Sequence, residues 1–191
     1  MMKSVLIVTS NEDKFKEISM VLNEFSIKAK RINLDFPEHG ENIEGVAENK
    51  AKEAFRKVKK PLIVEDTGIF FSAYKDFPGG YAKRIYKSLG LTGLIKLLEN
   101  KSRKAYFQTV ICYYDGKRTK TFSGKLHGTI VKKIHTDKFL RQKFPYDRIF
   151  IENKYKKPVS LLTLEEKIKI SHRAKAAEKF ARWLKDSIAE E

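Results

Sequence analysis

Residues 63–71 read Ile63-Val64-Glu65-Asp66-Thr67-Gly68-Ile69-Phe70-Phe71. Five apolar residues flank two adjacent carboxylates, and the flanks have the composition of a buried strand. On an extended chain, neighbouring side chains point to opposite faces, so Glu65 and Asp66 face different layers. An unpaired buried carboxylate costs several kcal/mol, so each needs a cation, a metal or water. Thr67-Gly68 allows a bend, which predicts a strand terminus opening into a cleft, the usual place for α/β ligand sites. A structural salt bridge is the other reading.

Moving outward, SVLIVTS reads as a buried strand, followed by a helix over NEDKFKEISMVLNEF with Phe15, Ile18, Val21, Leu22 and Phe25 on one face. Ser10 or Asn11 is the natural N-cap. A second helix is predicted over about residues 43–59, carrying Val46, Ala47, Ala51, Ala54, Phe55 and Val58 inward. PLIVEDTGIFFSAY is a strand pair or one long bent strand, broken by Pro78-Gly79-Gly80. TGLIKLLE is read as a short helix started by Thr92. AYFQTVICYY and KTFSGKLHGTIVKK alternate as strands around an Asp115-Gly116 turn. Thr163-Leu164-Glu165-Glu166 is a capping box, and the remainder through Trp183 and Ile188 is helical, with Ser171 capping a separate final helix. The order predicts an α/β fold: a mixed central sheet with flanking helices.

The 191 residues suffice for one sizeable domain, with 41% hydrophobic and 34% charged residues as in a soluble globular chain. No apolar run approaches the roughly 20 residues that span a bilayer, and the opening MMKSVLIVTSNEDK is read as a first strand rather than a signal peptide. The single Cys112 has no disulfide partner, which predicts a reduced, cytoplasmic setting and a small buried side chain rather than a nucleophile. A formal net charge of +16 attracts polyanions without choosing among nucleic acid, anionic membrane and phosphorylated small molecules.

Five segments could carry chemistry. Thr9-Ser10-Asn11-Glu12-Asp13-Lys14 joins a strand to a helix N-terminus, where backbone N–H groups and the helix dipole favour an anion and Lys14 adds a positive charge. Glu65-Asp66 is the second. Glu38, in LDFPEHG, matters if it converges on Asp66, because two or three oxygen ligands with substrate phosphates make a Mg²⁺ site. In FPYDRIF, aromatics beside Asp147 could stack on a base and hydrogen-bond it. Lys167 and Ser171 are four apart on one helical face, followed by His172 and Arg173. A capped helix, surface turn, packed loop or exposed helix is the ordinary alternative for each.

Taken in order, TSNEDK, VEDTG, FPGGYAK, FPYDRIF and SHR resemble the inosine triphosphate pyrophosphatase family, which hydrolyses non-standard purine nucleoside triphosphates. The resemblance covers nearly the whole chain and looks most like archaeal members. It implies an elongated α/β fold over residues 1–191, two lobes around a nucleotide cleft, a homodimer and Mg²⁺ dependence. It implies that Thr9, Ser10, Asn11 and Lys14 form the phosphate loop and that Lys50 and Lys83 meet the triphosphate. By the same resemblance, Glu38 and Asp66 look like its metal-linked carboxylates, with Asp66 as the implied proton acceptor helped by Glu65. Thr67 and Gly68 join the substrate-binding residues. Phe144, Tyr146, Asp147, Lys167, Ser171, His172 and Arg173 fall where the base is held. Ser10, Pro145 and Arg148 depart from the common pattern, standing for a frequent Gly, a Gly or small residue, and a frequent Pro. Thr67 stands for a common Ser and keeps the hydroxyl.

The implied reaction is attack of water on the α-phosphorus, with Lys14, Lys50 and Lys83 stabilising the departing pyrophosphate. Arg173 has only donors and His172 can donate, which suits the 6-carbonyl of hypoxanthine or xanthine better than the 6-amino group of adenine. ITP, dITP and XTP are the expected substrates. A related pyrophosphatase for other modified or pyrimidine nucleotides is the near rival. A basic nucleic-acid-binding protein is the distant one, because no nucleic-acid motif is seen and the carboxylates repel phosphate.

Overall fold

The computed structural model describes residues 3–36, 42–134 and 144–189. Its axis is β3 (Leu62–Phe71), one unbroken ten-residue strand rather than two or a bent one. The chain does not end or turn at Thr67-Gly68. The cleft arises because a neighbour stops instead. β1 (Lys3–Val8) pairs with β3 in parallel only through Leu6–Val8 against Leu62–Val64. Glu65 is the first residue of β3 beyond that shorter neighbour.

Gly68 has a different use from the expected bend. A Cβ there would lie 2.8 Å from the backbone carbonyl of Gly79. The missing side chain lets β4 (Pro78–Gly79) pair antiparallel across Ile69 and Phe70.

The sheet order is β2-β1-β3-β5-β6-β7, with β4 beside β3. β2 (Ile27–Ile32) is parallel to β1. β5 (Lys104–Tyr114) pairs antiparallel along all of β3, β6 (Thr119–Ile130) along all of β5, and β7 (Phe150–Glu152) closes the far edge. Asp115 makes the β5–β6 turn by accepting hydrogen bonds from Lys117 N at 2.9 Å and Arg118 N at 2.7 Å.

Helices cover the sheet as its alternation demands. α1 (Glu12–Glu24) and α5 (His172–Ala189) pack on Val5, Ile7, Ile63, Ile111 and Phe122. α2 (Ile43–Val58) packs on the other face, against Leu62, Val64, Val110 and Cys112. The distal ends of β3, β5 and β6 enclose a separate cluster under α3 (Ala82–Leu97), including Phe71, Leu94, Leu98 and Phe150. Full burial of each such side chain stabilises by about 1.5–3 kcal/mol.

α3 begins ten residues before Thr92. Its N-cap Tyr81 makes no side-chain capping bond, so the sequence carries no start signal, and a turn at Gly90 with φ 62° divides it. The second half is the segment read as a short helix. The C-terminal capping box is present: Thr163 Oγ1 accepts from Glu166 N at 3.1 Å, and Glu166 Oε2 accepts from Thr163 N at 2.8 Å. It opens α4 (Leu164–Ile170), and Ser171 separates α4 from α5.

α5 can approach the sheet closely because position 124 on β6 is glycine. A Cβ there would sit 2.7 Å from Ala176 N and strike the first-turn backbone of α5. Gly124→Ala is therefore expected to lower stability by about 1–3 kcal/mol, the usual cost of overpacking, in urea denaturation. An unchanged midpoint would show that α5 is not seated through this contact.

Candidate active site

Alternation along β3 sends its two carboxylates to opposite faces of the sheet. Glu65 lies on the α1/α5 side, where Lys14 Nζ is 2.7 Å away and Arg173 Nε 3.2 Å away. Asp66 lies on the α2 side, 2.8 Å from Lys50 Nζ. Burial alone would raise both acids. At Glu65 the charges of Lys14 and Arg173 outweigh burial and hold the carboxyl below the ordinary glutamate range. At Asp66 burial wins over Lys50, and the carboxyl is pushed up to about 6.

A cleft of about 480 Å³ opens beyond the end of β1. The loop Thr9-Ser10-Asn11, Lys14, Lys50, Glu65, Thr67, Gly68 and Lys83 line one part of it; Phe144, Tyr146, Asp147, Lys167, His172 and Arg173 line another. Asp66 faces instead an adjoining pocket of about 260 Å³ with Tyr81, Arg84, Lys83 and Lys87, and both cavities share Gly80, Lys83 and Lys87. Glu38 lies outside the described residues.

The phosphate-loop expectation changes in detail. Asn11, not Ser10, caps α1, and its Oδ1 accepts from Asp13 N at 3.0 Å and Lys14 N at 3.1 Å. Two donors expected to meet an anion are thus already bonded. Thr9 Oγ1 also accepts from Asn11 N, at 3.2 Å.

On the opposite wall, Phe144 leads into a 3-10 turn at Pro145–Arg148. Its ring lies 4.3 Å from Lys167 Nζ, a cation–π distance. Tyr146 donates its hydroxyl to Ala82 O at 2.8 Å, which ties this turn to α3. Asp147 is 2.8 Å from Lys167. Burial raises the Asp147 carboxyl despite that partner, while Asp147 and Glu17 raise Lys167 against its own burial.

Arg173 was expected to offer donors to a base. It is instead 2% exposed, with Nη1 bound to Glu17 and Nε to Glu65. Only its remaining edge can meet a ligand. Glu17 was not singled out in the sequence, yet it is buried and also sits 3.0 Å from Lys167. A signal existed: Glu17 falls on the apolar stripe of α1, three residues after Lys14 and beside Ile18. Ser171 adds to this junction, accepting from Arg173 N at 3.1 Å.

Two further cleft residues, and one buried behind the cleft wall, were missed. Phe107 stacks on His172 at 5.0 Å, Tyr86 faces Tyr146 at 6.3 Å, and Thr109 bridges Thr67 and His172. Their positions depend on strand register and the α3 start, which no local pattern encodes. Among the described residues, no group of three or more His, Cys, Asp or Glu side chains could hold a metal by itself.

Glu17→Ala would leave Arg173 and Lys167 short of a buried counter-charge. A loss of about 3–5 kcal/mol is expected in chemical denaturation, whereas exposed Met20→Ala on the same helix should stay within about 0.5 kcal/mol.

Comparison with known proteins agrees with this architecture. The chain is 37% identical to a dITP/XTP pyrophosphatase of Methanopyrus kandleri, covering 97% of this chain and 98% of that protein. It is 38% identical to one of Pyrococcus horikoshii, covering 96% and 98%. Its fold matches the Ham1 protein of Staphylococcus aureus with a TM-score of 0.78 and 26% identity, covering 95% and 99% of the two chains. A HAM1 protein of Coxiella burnetii matches in fold at a TM-score of 0.83 and 23% identity, covering 97% and 100%. The family model itself matches residues 5–183, and with these relatives it establishes that the chain belongs to the Ham1 family.

Proposed function

We propose that this chain hydrolyses non-canonical purine nucleoside triphosphates, ITP, dITP and XTP, to nucleoside monophosphate and pyrophosphate. The observation that carries the reading is the split of Glu65 and Asp66 between two joined cavities. One cavity has an aromatic and polar wall, which suits a base, facing the Thr9-Ser10-Asn11 loop with Lys14 and Lys50. The other joins Asp66 to Lys83, Arg84 and Lys87, which suits phosphates. The names of the relatives, dITP/XTP pyrophosphatase, support the same chemistry.

In this mechanism water attacks the α-phosphorus, a new P–O bond forms, and the bond to the bridging oxygen breaks to release pyrophosphate. Asp66 takes the water's proton on the oxygen that Lys50 does not hold. A carboxyl near 6 suits a base working close to neutrality. Lys50, Lys83, Arg84 and Lys87 offset the charge that grows on the leaving group. Glu65 stays ionised and fixes Lys14 and Arg173.

The donor set at Asp66 fits Mg²⁺: a hard oxygen with no sulfur or imidazole, beside space for phosphate oxygens. Asp66 would hold that ion, with Glu38 as the expected second carboxylate. When bound, the ion supplies charge neutralisation at the phosphate oxygens. A single domain over residues 1–191, a homodimer and a cytoplasmic setting complete the reading. No helix among the described residues is long and apolar enough to cross a membrane.

The decisive assay is pyrophosphate release from ITP, dITP, XTP, GTP, ATP and CTP, with Mg²⁺ and with excess EDTA. Cleavage of the first three to monophosphates, lost with EDTA, is expected; preferential cleavage of CTP would move the chain to pyrimidine nucleotides. Asp66→Asn should cut kcat by roughly a hundredfold or more. In the unaltered protein, kcat/KM should fall about tenfold per pH unit below about 6, because the base must be deprotonated to act. A rate flat from pH 8 to 5 would remove Asp66 from that role.

A further inference from the structure

Glu65, Thr67 and Thr109 share one face of the sheet. Glu65 and Thr67 are two apart on β3, and Thr67 lies directly opposite Thr109 on β5. His172, the first residue of α5, comes down on the same face and stacks on Phe107 with an interplanar angle of 18°. The four side chains form one unbroken line of contacts. Thr67 Oγ1 donates to Glu65 Oε1, Thr67 and Thr109 oxygens are 2.6 Å apart, and Thr109 Oγ1 is 2.6 Å from His172 Nδ1.

The proton positions in this line follow from counting. A threonine hydroxyl has one proton. Glu65, held between Lys14 and Arg173, is a carboxylate and only accepts. The Thr67 proton therefore points to Glu65. The contact between the two threonines must then use the Thr109 proton. That leaves Thr109 as an acceptor toward His172, so Nδ1 carries the ring proton. If Thr109 donated to a bare Nδ1, two hydroxyl oxygens would face each other at 2.6 Å with no proton between them.

We propose that Thr109 and Thr67 are positioning residues that lock His172 in the Nδ1–H tautomer, so that Nε2 meets the base as a hydrogen-bond acceptor and selects purines with a protonated N1. Burial of the ring and the nearby charges of Arg173 and Lys167 disfavour a second proton, so Nε2 stays bare at neutral pH. This deepens the purine-triphosphatase reading and rests on it. It also reverses the expectation that His172 donates. Hypoxanthine and xanthine present N1–H beside the 6-carbonyl. Adenine has a lone pair at N1, which would face the lone pair of Nε2 in a desolvated site. Guanine shares the N1–H, so this contact separates 6-oxo from 6-amino purines and leaves the 2-amino group to other contacts.

The test begins with the ligand-free protein labelled with ¹⁵N-histidine, whose four histidines can be resolved by two-bond ¹H–¹⁵N correlation. His172→Gln identifies the signal. At pH 7.5 the expected spectrum has a protonated Nδ1 and a bare Nε2 for His172. Thr109→Val keeps the side-chain shape, and should mix the tautomers and reduce the ITP-to-ATP ratio of kcat/KM at least tenfold. Thr109→Ser should restore both. An Nε2–H tautomer in the unaltered protein would overturn the proposal without any variant. So would a Thr109→Val protein that keeps both the tautomer and the ratio. The spectrum needs no substrate, so an inactive unaltered protein would count against the purine-triphosphatase reading alone, while the tautomer result stands or falls separately.

Discussion

Arg173 is clamped between Glu17 on α1 and Glu65 on β3, and the relative placement of three elements follows from that clamp. Taking such charges out of water costs several kcal/mol per ion, and their mutual attraction only offsets this when geometry is good and every remaining donor or acceptor is met. A merely adequate arrangement would be penalised, so the network acts less as glue than as a gauge. Lys14 completes Glu65, and Lys167 links Glu17 to Asp147. α1, β3, α4, α5 and the turn before β7 are thereby held to one another through charges at the wall of the cleft.

The same network separates two neighbouring carboxylates. Glu65 and Asp66 are adjacent in the chain, yet two cations hold one acid below its ordinary range while burial pushes the other up to about 6. Pairs whose environments drive their pKa values apart are a recurrent way to obtain one fixed charge and one proton acceptor at the same pH. Here the device is the pleat of a single strand: the residue on one face pairs with Lys14 and Arg173, and the residue on the other pairs with Lys50, whose charge does not outweigh burial.

Much of this was legible in the sequence where the signal is local. β1, α1, α2 and the β5–β6 hairpin follow from periodicity and turn residues, and the Thr163–Glu166 box was visible as a four-residue pattern. The start of α3 was not, because Tyr81 brings no capping side chain. Glu65 and Asp66 could be placed on opposite faces, but which cations met them could not, since Arg173 lies 108 residues away. The cleft's cause was also hidden. It depends on where β1 stops relative to β3, a register that Thr67-Gly68 does not reveal. Thr109 had no local mark at all, and Glu17 had one that its helical stripe disguised as ordinary amphipathicity.

The length of β3, β5 and β6 has a mechanical side. These strands run for 10, 11 and 12 residues, from the ends packed under α1, α2 and α5 to those under α3. Among the described residues, three hydrogen-bonded strands join the two walls of the cleft. A hinge would have to shear those ladders, whereas a change in sheet coiling would keep every bond and rotate one wall against the other. Any relative motion of the two walls that keeps these ladders intact is therefore torsional: winding or unwinding the sheet would widen or narrow the cavity.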